Sequence, residues 1–210
     1  MKYDPQHHHR RSIRLPNYDY SCSGMYFVTI CTHQKQCLFG EISNGKMLLN
    51  QIGKIVREEW LKSAQIRAEI ELDEYVIMPN HLHGIVVIQN NDWKIGDRVY
   101  LRDRNIVDNK GASLAPLQGV LRRGISRRRK PRSLSSFVAG FKSSVTKQIK
   151  VFCTQPNPRI WQRNYYESIV RNEQHLNQVR QYIIDNPQKW SEDTEKPKNK
   201  FQKLLIDFIF

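Results

Sequence analysis

The chain has 210 residues, with 34 Lys plus Arg against 20 Asp plus Glu and a formal net charge of +14. That length suits one well-packed domain with decorations and not two large ones. The charge exceeds what solubility needs and implies an anionic partner, nucleic acid first, because Lys and Arg neutralise its phosphates. No run of 18 apolar residues spans a membrane and no charged-then-apolar start suggests export, so a cytoplasmic protein is expected. Cys22, Cys31, Cys37 and Cys153 lack CxxC spacing and scaffold density, and are expected as reduced thiols, mostly in the core.

Residues 1–24 read as a basic N-terminal arm, carrying Arg10, Arg11 and Arg14 and the turn formers Pro16, Asn17 and Gly24. The tract His7–His9 in this polar terminus carries no functional expectation. Residues 25–32, MYFVTICT, are β-branched and aromatic and predict a buried central strand. From Leu48 to Ser63 apolar residues recur at helical spacing, with Lys54, Arg57, Glu58 and Glu59 on the other side, so a helix packed on a sheet is expected. IELDEYVIM (70–78), Pro79-Asn80 and HLHGIVVI (81–88) predict two strands joined by a tight turn.

Residues 90–132 change character, with Asn, Asp and Gly followed by Arg122, Arg123, Arg127, Arg128, Arg129, Lys130 and Arg132. This predicts a loop insertion whose basic block meets a polyanion. From Ser133, an expected N-cap, Leu134, Phe137, Val138, Phe141, Val145 and Ile149 form an apolar stripe with Lys142 off it. In IWQRNYYESIVRNE (160–173) two tyrosines stand between a Trp and an expected helix carrying Glu167 and Arg171. A last helix is predicted after Asn172, ending at Asn186-Pro187, with Leu176, Val179 and Ile183 buried. A single domain is thus expected over 25–190, with a tail over 191–210. The element order predicts an α+β architecture, an antiparallel or mixed sheet with helices on one side.

Two features carry chemistry. A strand's period of two puts His81 and His83 on one face and Leu82 on the other. Two neighbouring imidazoles are half a metal site, to be completed by carboxylate, amide or water oxygens around Mg²⁺ or Mn²⁺, with Zn²⁺ also compatible. Gly84 on the same strand allows close backbone approach. Of Tyr165 and Tyr166, one is expected to be buried while the other points outward. A phenol of pKa about 10 is a weak nucleophile unless a cation assists it, and a metal at the histidines would polarise a phosphoryl oxygen.

The segments YFVTICT, YVIMPNHLHGIVVI, SLSSFVAGFKSSVTKQI, WQRNYYESIVRNE and YIIDNPQKW resemble the REP-associated tyrosine transposases, which belong to the HUH-type single-tyrosine transposases of the insertion-sequence kind. The resemblance runs from RRSIRLPNYDY to Trp190, with 90–132 its least secure part. It implies a ferredoxin-like antiparallel sheet with helices packed on it, a divalent metal at His81 and His83, and a nucleophile four residues after the tryptophan, Tyr165. The implied reaction is in-line attack on a DNA phosphate, giving a 5′-phosphotyrosine and a free 3′-hydroxyl; the reverse joins strands. The implied substrate is single-stranded DNA near hairpins of palindromic repeats, handled by a monomer or homodimer. Ser168 stands where relatives often carry a metal-binding histidine, so Glu167, Ser168 or water would complete the shell. Expected backbone contacts are Arg10, Arg11, Arg14, the cations of 122–132, Lys142 and Arg163. The alternative left open is a catalytically inactive, domesticated DNA-binding protein of the same fold.

Overall fold

A computed structural model describes residues 18–89, 130–152, 158–193 and 195. The expected contacts Arg10, Arg11, Arg14, Arg122, Arg123, Arg127, Arg128 and Arg129 lie outside the described residues, as do Cys153 and the histidine tract. Strand β1 (Gly24–Cys31) is followed by a hairpin, β2 (Gly40–Ser43) and β3 (Lys46–Leu49), then by helix α1 (Gln51–Ile66). Strands β4 (Ile70–Ile77) and β5 (His81–Ile88), helix α2 (Leu134–Phe152), strand β6 (Tyr166–Val170) and helix α3 (Glu173–Asp185) complete the order.

Four strands form one sheet in the order β4-β5-β1-β6, every neighbouring pair antiparallel. With the hairpin set aside, the path is β-α-β-β-α-β with β1 inside and β6 at an edge, the ferredoxin-like arrangement. The α+β expectation therefore holds. The helices, however, are not confined to one side. Tyr26, Val28, Ile30, Leu82, Val86 and Ile88 join a core with Ile52, Val56 and Trp60 of α1 and Phe137, Phe141 and Val145 of α2. Met25, Ile85, Val87 and Val170 form a second core with Leu176, Val179 and Ile183 of α3. Alternation explains the division, since successive side chains on one strand enter opposite layers. Sandwiched in this way, β5 is buried at all eight positions.

Caps fix the helix starts. Asn50 Oδ1 accepts from the Gly53 N–H at 2.9 Å, and Asn172 Oδ1 accepts from the His175 N–H at 2.8 Å. Ser133 Oγ accepts from the Ser136 N–H at 3.3 Å, as its place before the apolar stripe predicts. Each such cap stabilises its helix by about 1 kcal/mol. Tight packing also constrains the sheet, because a Cβ on Gly84 would stand 2.6 Å from Trp60 Cζ2.

Three local expectations change. Leu48 and Leu49 end a hairpin strand and are not the first turn of α1, and the signal was Asn44-Gly45, both at positive φ (49° and 70°), as a two-residue hairpin turn requires. Residues 166–170 are an edge strand paired with β1 and not part of a helix; Tyr, Ile and Val there favour a pleated surface. Of the described cysteines, Cys22 is exposed and Cys31 and Cys37 are half-buried, so none lies in the core; all three are free thiols. Among the described residues, no helix is long and apolar enough to cross a membrane.

Candidate active site

His81 and His83 open β5 on the face that carries α3, opposite Leu82 and Gly84, and both are buried, at 0% and 3% exposed. Their Nε2 atoms are 3.0 Å apart. Each ring is held from behind. The Asn80 Nδ2 group donates to the backbone oxygens of Lys35 and Glu195, at 3.1 and 2.6 Å, which turns Asn80 Oδ1 toward His81 Nδ1 at 2.8 Å. That oxygen can only accept, so His81 keeps its proton on Nδ1 and presents the Nε2 lone pair. His83 Nδ1 lies 2.8 Å from Thr29 Oγ1 on the neighbouring strand, and the Phe27 ring stacks on the His83 ring at 5.3 Å. Burial depresses both imidazoles, His83 to about 3 and His81 well below the usual range, with the neighbouring His83 adding to the effect on His81. Both are therefore neutral at pH 7.

A third group joins them from beyond α3. The Asp193 Oδ2 atom lies 3.6 Å from His81 Nε2, on a side chain 5% exposed. The ligand atoms of His81, His83 and Asp193 all fall within 4.8 Å of one another. Among the described residues, Asp193 Oδ2 has no hydrogen-bond partner, and neither has the buried Asn186 Oδ1. Two imidazole nitrogens 3.0 Å apart beside a buried carboxylate oxygen form a donor set that a divalent cation would hold together. That spacing also suits adjacent ligands on an octahedral ion with bonds of about 2.1 Å. The donor set thus fits a divalent metal, with Asn80 and Thr29 as the outer groups that set the imidazole tautomer and orientation.

The segment carrying Asp193 is pinned through Glu195. Its carboxylate pairs with Lys35 Nζ at 3.2 Å and accepts from Cys31 Sγ at 3.3 Å. Burial, then the adjoining Glu195 carboxylate, pushes the Cys31 thiol up to about 12, so it remains protonated and inert.

The tyrosine at this centre is Tyr182 of α3. Its hydroxyl lies 3.3 Å from His83 Nε2, its ring meets those of His83 and Phe27 edge-on at 5.2 and 5.9 Å, and it is 46% exposed. Burial, then the Asp193 charge, raises its pKa, while a hydrogen bond from the Asn186 side chain acts in the opposite direction. Leu176, Val179 and Ile183 seat α3 on the sheet, and Arg180 grips Asp73 of β4 through Nε at 2.8 Å and a second nitrogen at 2.5 Å. This two-point ion pair fixes the rotation of the helix that carries Tyr182.

The structure does not bring Tyr165 to the histidines. It packs against the α1 and α2 core, on the other side of the sheet, with Lys142 Nζ 5.9 Å from its ring centre. Glu167 stands opposite Val28 and so faces that same core, away from the histidines. Ser168 stands on the α3 face opposite Phe27, but β1 lies between it and β5, roughly 10 Å away at ordinary strand spacing. The Lys142 ammonium donates to the backbone oxygens of Gln162 and Asn164 at 2.8 and 2.9 Å, tying α2 to the segment before β6. Lys130 pairs with Asp19 at 2.5 Å, whereas Arg132 and Arg163 are exposed.

A signal for Tyr182 was available. It stands three residues after the buried Val179, on the flank of the sheet-facing stripe, where an aromatic ring with a polar tip reaches the sheet at its hydroxyl end. Asp193 had no such signal, since it lies in an irregular segment without periodicity.

No family model matches the chain. An uncharacterized protein of Haemophilus influenzae is 39% identical to it over 193 residues, covering 91% of this chain and 96% of that protein. The chain belongs to that protein's family. A solved structure described as a REP-associated tyrosine transposase bound to a REP hairpin aligns over 94% of this chain and 88% of its own, with TM-score 0.52 and 16% identity. At that identity the two share a fold, and the α+β layers described above are those of this transposase structure.

Proposed function

We propose that the chain is a metal-dependent single-stranded DNA endonuclease and strand transferase whose nucleophile is Tyr182. The observation that carries this reading is the convergence of a half-exposed phenol on two buried neutral imidazoles and a carboxylate with one oxygen unpaired among the described residues. Tyr182 is 46% exposed and its hydroxyl lies 3.3 Å from His83 Nε2, so one side chain meets both solvent and the histidine pair. The shared fold with a transposase bound to a hairpin supports DNA as the substrate, as does the net charge of +14.

His81, His83 and Asp193 would hold Mg²⁺ or Mn²⁺, which supplies electrostatic stabilisation of charge developing on a phosphate. The protein's own groups do the rest. Asn186 stabilises the phenolate by donating to it, and the Arg180–Asp73 pair holds α3 at the height that places the phenol beside the histidines. The Tyr182 phenol gives its proton to solvent as its oxygen bonds to phosphorus and the P–O3′ bond breaks, and the leaving 3′-oxygen takes a proton from solvent. The product is a 5′-phosphotyrosine and a free 3′-hydroxyl. The covalent bond conserves the energy of the phosphodiester, so attack by another 3′-hydroxyl joins strands without a nucleotide cofactor.

Incubating the protein with labelled single-stranded DNA containing a hairpin from the repeats beside its gene, with Mn²⁺ or Mg²⁺, tests this on a denaturing gel. A covalent protein-DNA band that needs metal and disappears in His81→Ala is expected. Hairpin binding with no covalent band in either metal would instead identify a binding protein that keeps the fold without strand transfer.

A further inference from the structure

The free edge of β6 carries a cleft of about 320 Å³ that neither the metal centre nor the nucleophile uses. Tyr166, Ser168 and Ile169 line it from the strand, and Arg171 and His175 close it at the start of α3. Among the described residues no strand pairs with the outer edge of β6, so backbone donors and acceptors of that edge face the cleft. Tyr166 is 45% exposed, unusual for so large a ring on a sheet. It stands on the histidine face, opposite Thr29, which itself bonds His83.

Phe27 links the two places. Its ring stacks on His83 and meets two exposed tyrosines edge-on, Tyr182 at 5.9 Å and Tyr166 at 6.3 Å. The aromatic platform therefore begins at the proposed nucleophile and ends in the cleft, on one face of one sheet.

From this placement we propose that the β6 cleft binds an unpaired nucleobase of the DNA strand, within a few nucleotides of the phosphate at the histidines, by stacking it on Tyr166. The proposal rests on the DNA-nicking reading above. Tyr20 and Glu167 also line the cleft, and its other polar and aromatic parts match parts of a nucleotide. The exposed face of Tyr166 takes the flat face of the base, and the Arg171 guanidinium reaches the flanking phosphate. The Ser168 hydroxyl, the His175 ring and the strand edge offer hydrogen bonds to the base edge. A base inside a duplex has both faces covered by its neighbours, so the cleft admits single strands and leaves the paired stem of a hairpin outside. It supplies register, setting which phosphate of an unpaired segment comes to rest beside Tyr182.

The test is binding in EDTA, where no cleavage occurs, of a fluorescent ten-nucleotide oligothymidine and of a blunt hairpin without single-stranded flanks. Stacking on one aromatic side chain contributes roughly five- to 150-fold in affinity. Tyr166→Ala is expected to weaken oligothymidine binding by a factor in that range and to leave the blunt hairpin unchanged, while Tyr166→Phe binds like the parent. Irradiating an oligothymidine with one 5-iodouracil is expected to crosslink Tyr166. Unchanged oligothymidine affinity in Tyr166→Ala, or crosslinks that map only to other residues, would overturn the proposal. Because neither readout requires metal or catalysis, absence of a covalent adduct would defeat the nicking reading while leaving this result intact.

Discussion

Replacing Asp193 by Asn should change the protein in opposite directions with and without metal. Without metal, Asp193 Oδ2 is a carboxylate oxygen with no partner on a side chain 5% exposed, next to the Glu195 carboxylate. Its other oxygen accepts from the Glu195 N–H at 2.7 Å, a bond an amide oxygen keeps. The substitution removes a buried charge and no hydrogen bond, so the metal-free protein should be as stable as the parent or more so. With metal the order reverses. At a Mn²⁺ concentration about 100 times the parent's Kd, binding contributes about 2.7 kcal/mol, which for a chain of this size raises Tm by roughly 5–11 °C. Loss of this charged ligand should weaken affinity by about 100-fold, leaving about 0.4 kcal/mol and a rise of about 1–2 °C at the same concentration. Thermal melts of both proteins in EDTA and in Mn²⁺ measure the four values. A variant that gains as much from Mn²⁺ as the parent would remove Asp193 from the metal site. A variant that melts well below the parent in EDTA would show that the carboxylate is structural.

Three further outcomes follow from the geometry. Thr29→Val keeps the shape of the residue but removes the hydroxyl that orients His83; metal affinity, read by titration with Mn²⁺, should fall roughly 10- to 100-fold with little change in metal-free Tm. Gly84→Ala places a methyl 2.6 Å from Trp60 Cζ2 and should cost about 1–3 kcal/mol in urea unfolding, and a neutral result would mean that the α1 layer yields at that point. Burial depresses the Lys142 ammonium to about 8 from the ordinary 10.5. Between those values the unfolded chain binds more protons, so stability should rise as pH climbs from about 8 to 10.5 and stay level below 8. Lys142→Met should flatten that rise in melts across the window, and an unchanged profile would refute the assignment.

Legibility in the sequence followed periodicity. The β4-β5 pair, the cap at Ser133 and the span from Asn172 to Asn186 all stand where patterning put them, because each depends on local contacts or alternation along a single element. The face shared by His81 and His83 was equally readable, since a two-residue period needs no partner. What failed depended on tertiary placement. The short segment 166–170 carries too few residues to separate strand from helix, and its identity is set by pairing with β1. That one error misplaced Tyr165, for a tyrosine packed on the α1 and α2 core stands on the other side of the sheet from the imidazoles. The expectation of helices on one side hid α3 in the same way, although its stripe of Leu176, Val179 and Ile183 was visible. Asp193, Asn80 and Thr29 come together as candidate ligand and supports only when three separate segments meet.

The most direct test of the account is the identity of the residue that carries the DNA. Trypsin separates the candidates, since Tyr182 falls in QYIIDNPQK (181–189) and Tyr165 and Tyr166 in NYYESIVR (164–171). The protein is allowed to react with single-stranded hairpin DNA in Mn²⁺, digested with trypsin and nuclease, and analysed by mass spectrometry. A nucleotide mass on Tyr182 in the 181–189 peptide, lost in Tyr182→Phe and retained in Tyr165→Phe, is the predicted result. A nucleotide mass on the 164–171 peptide, or an adduct that persists in Tyr182→Phe, would contradict it.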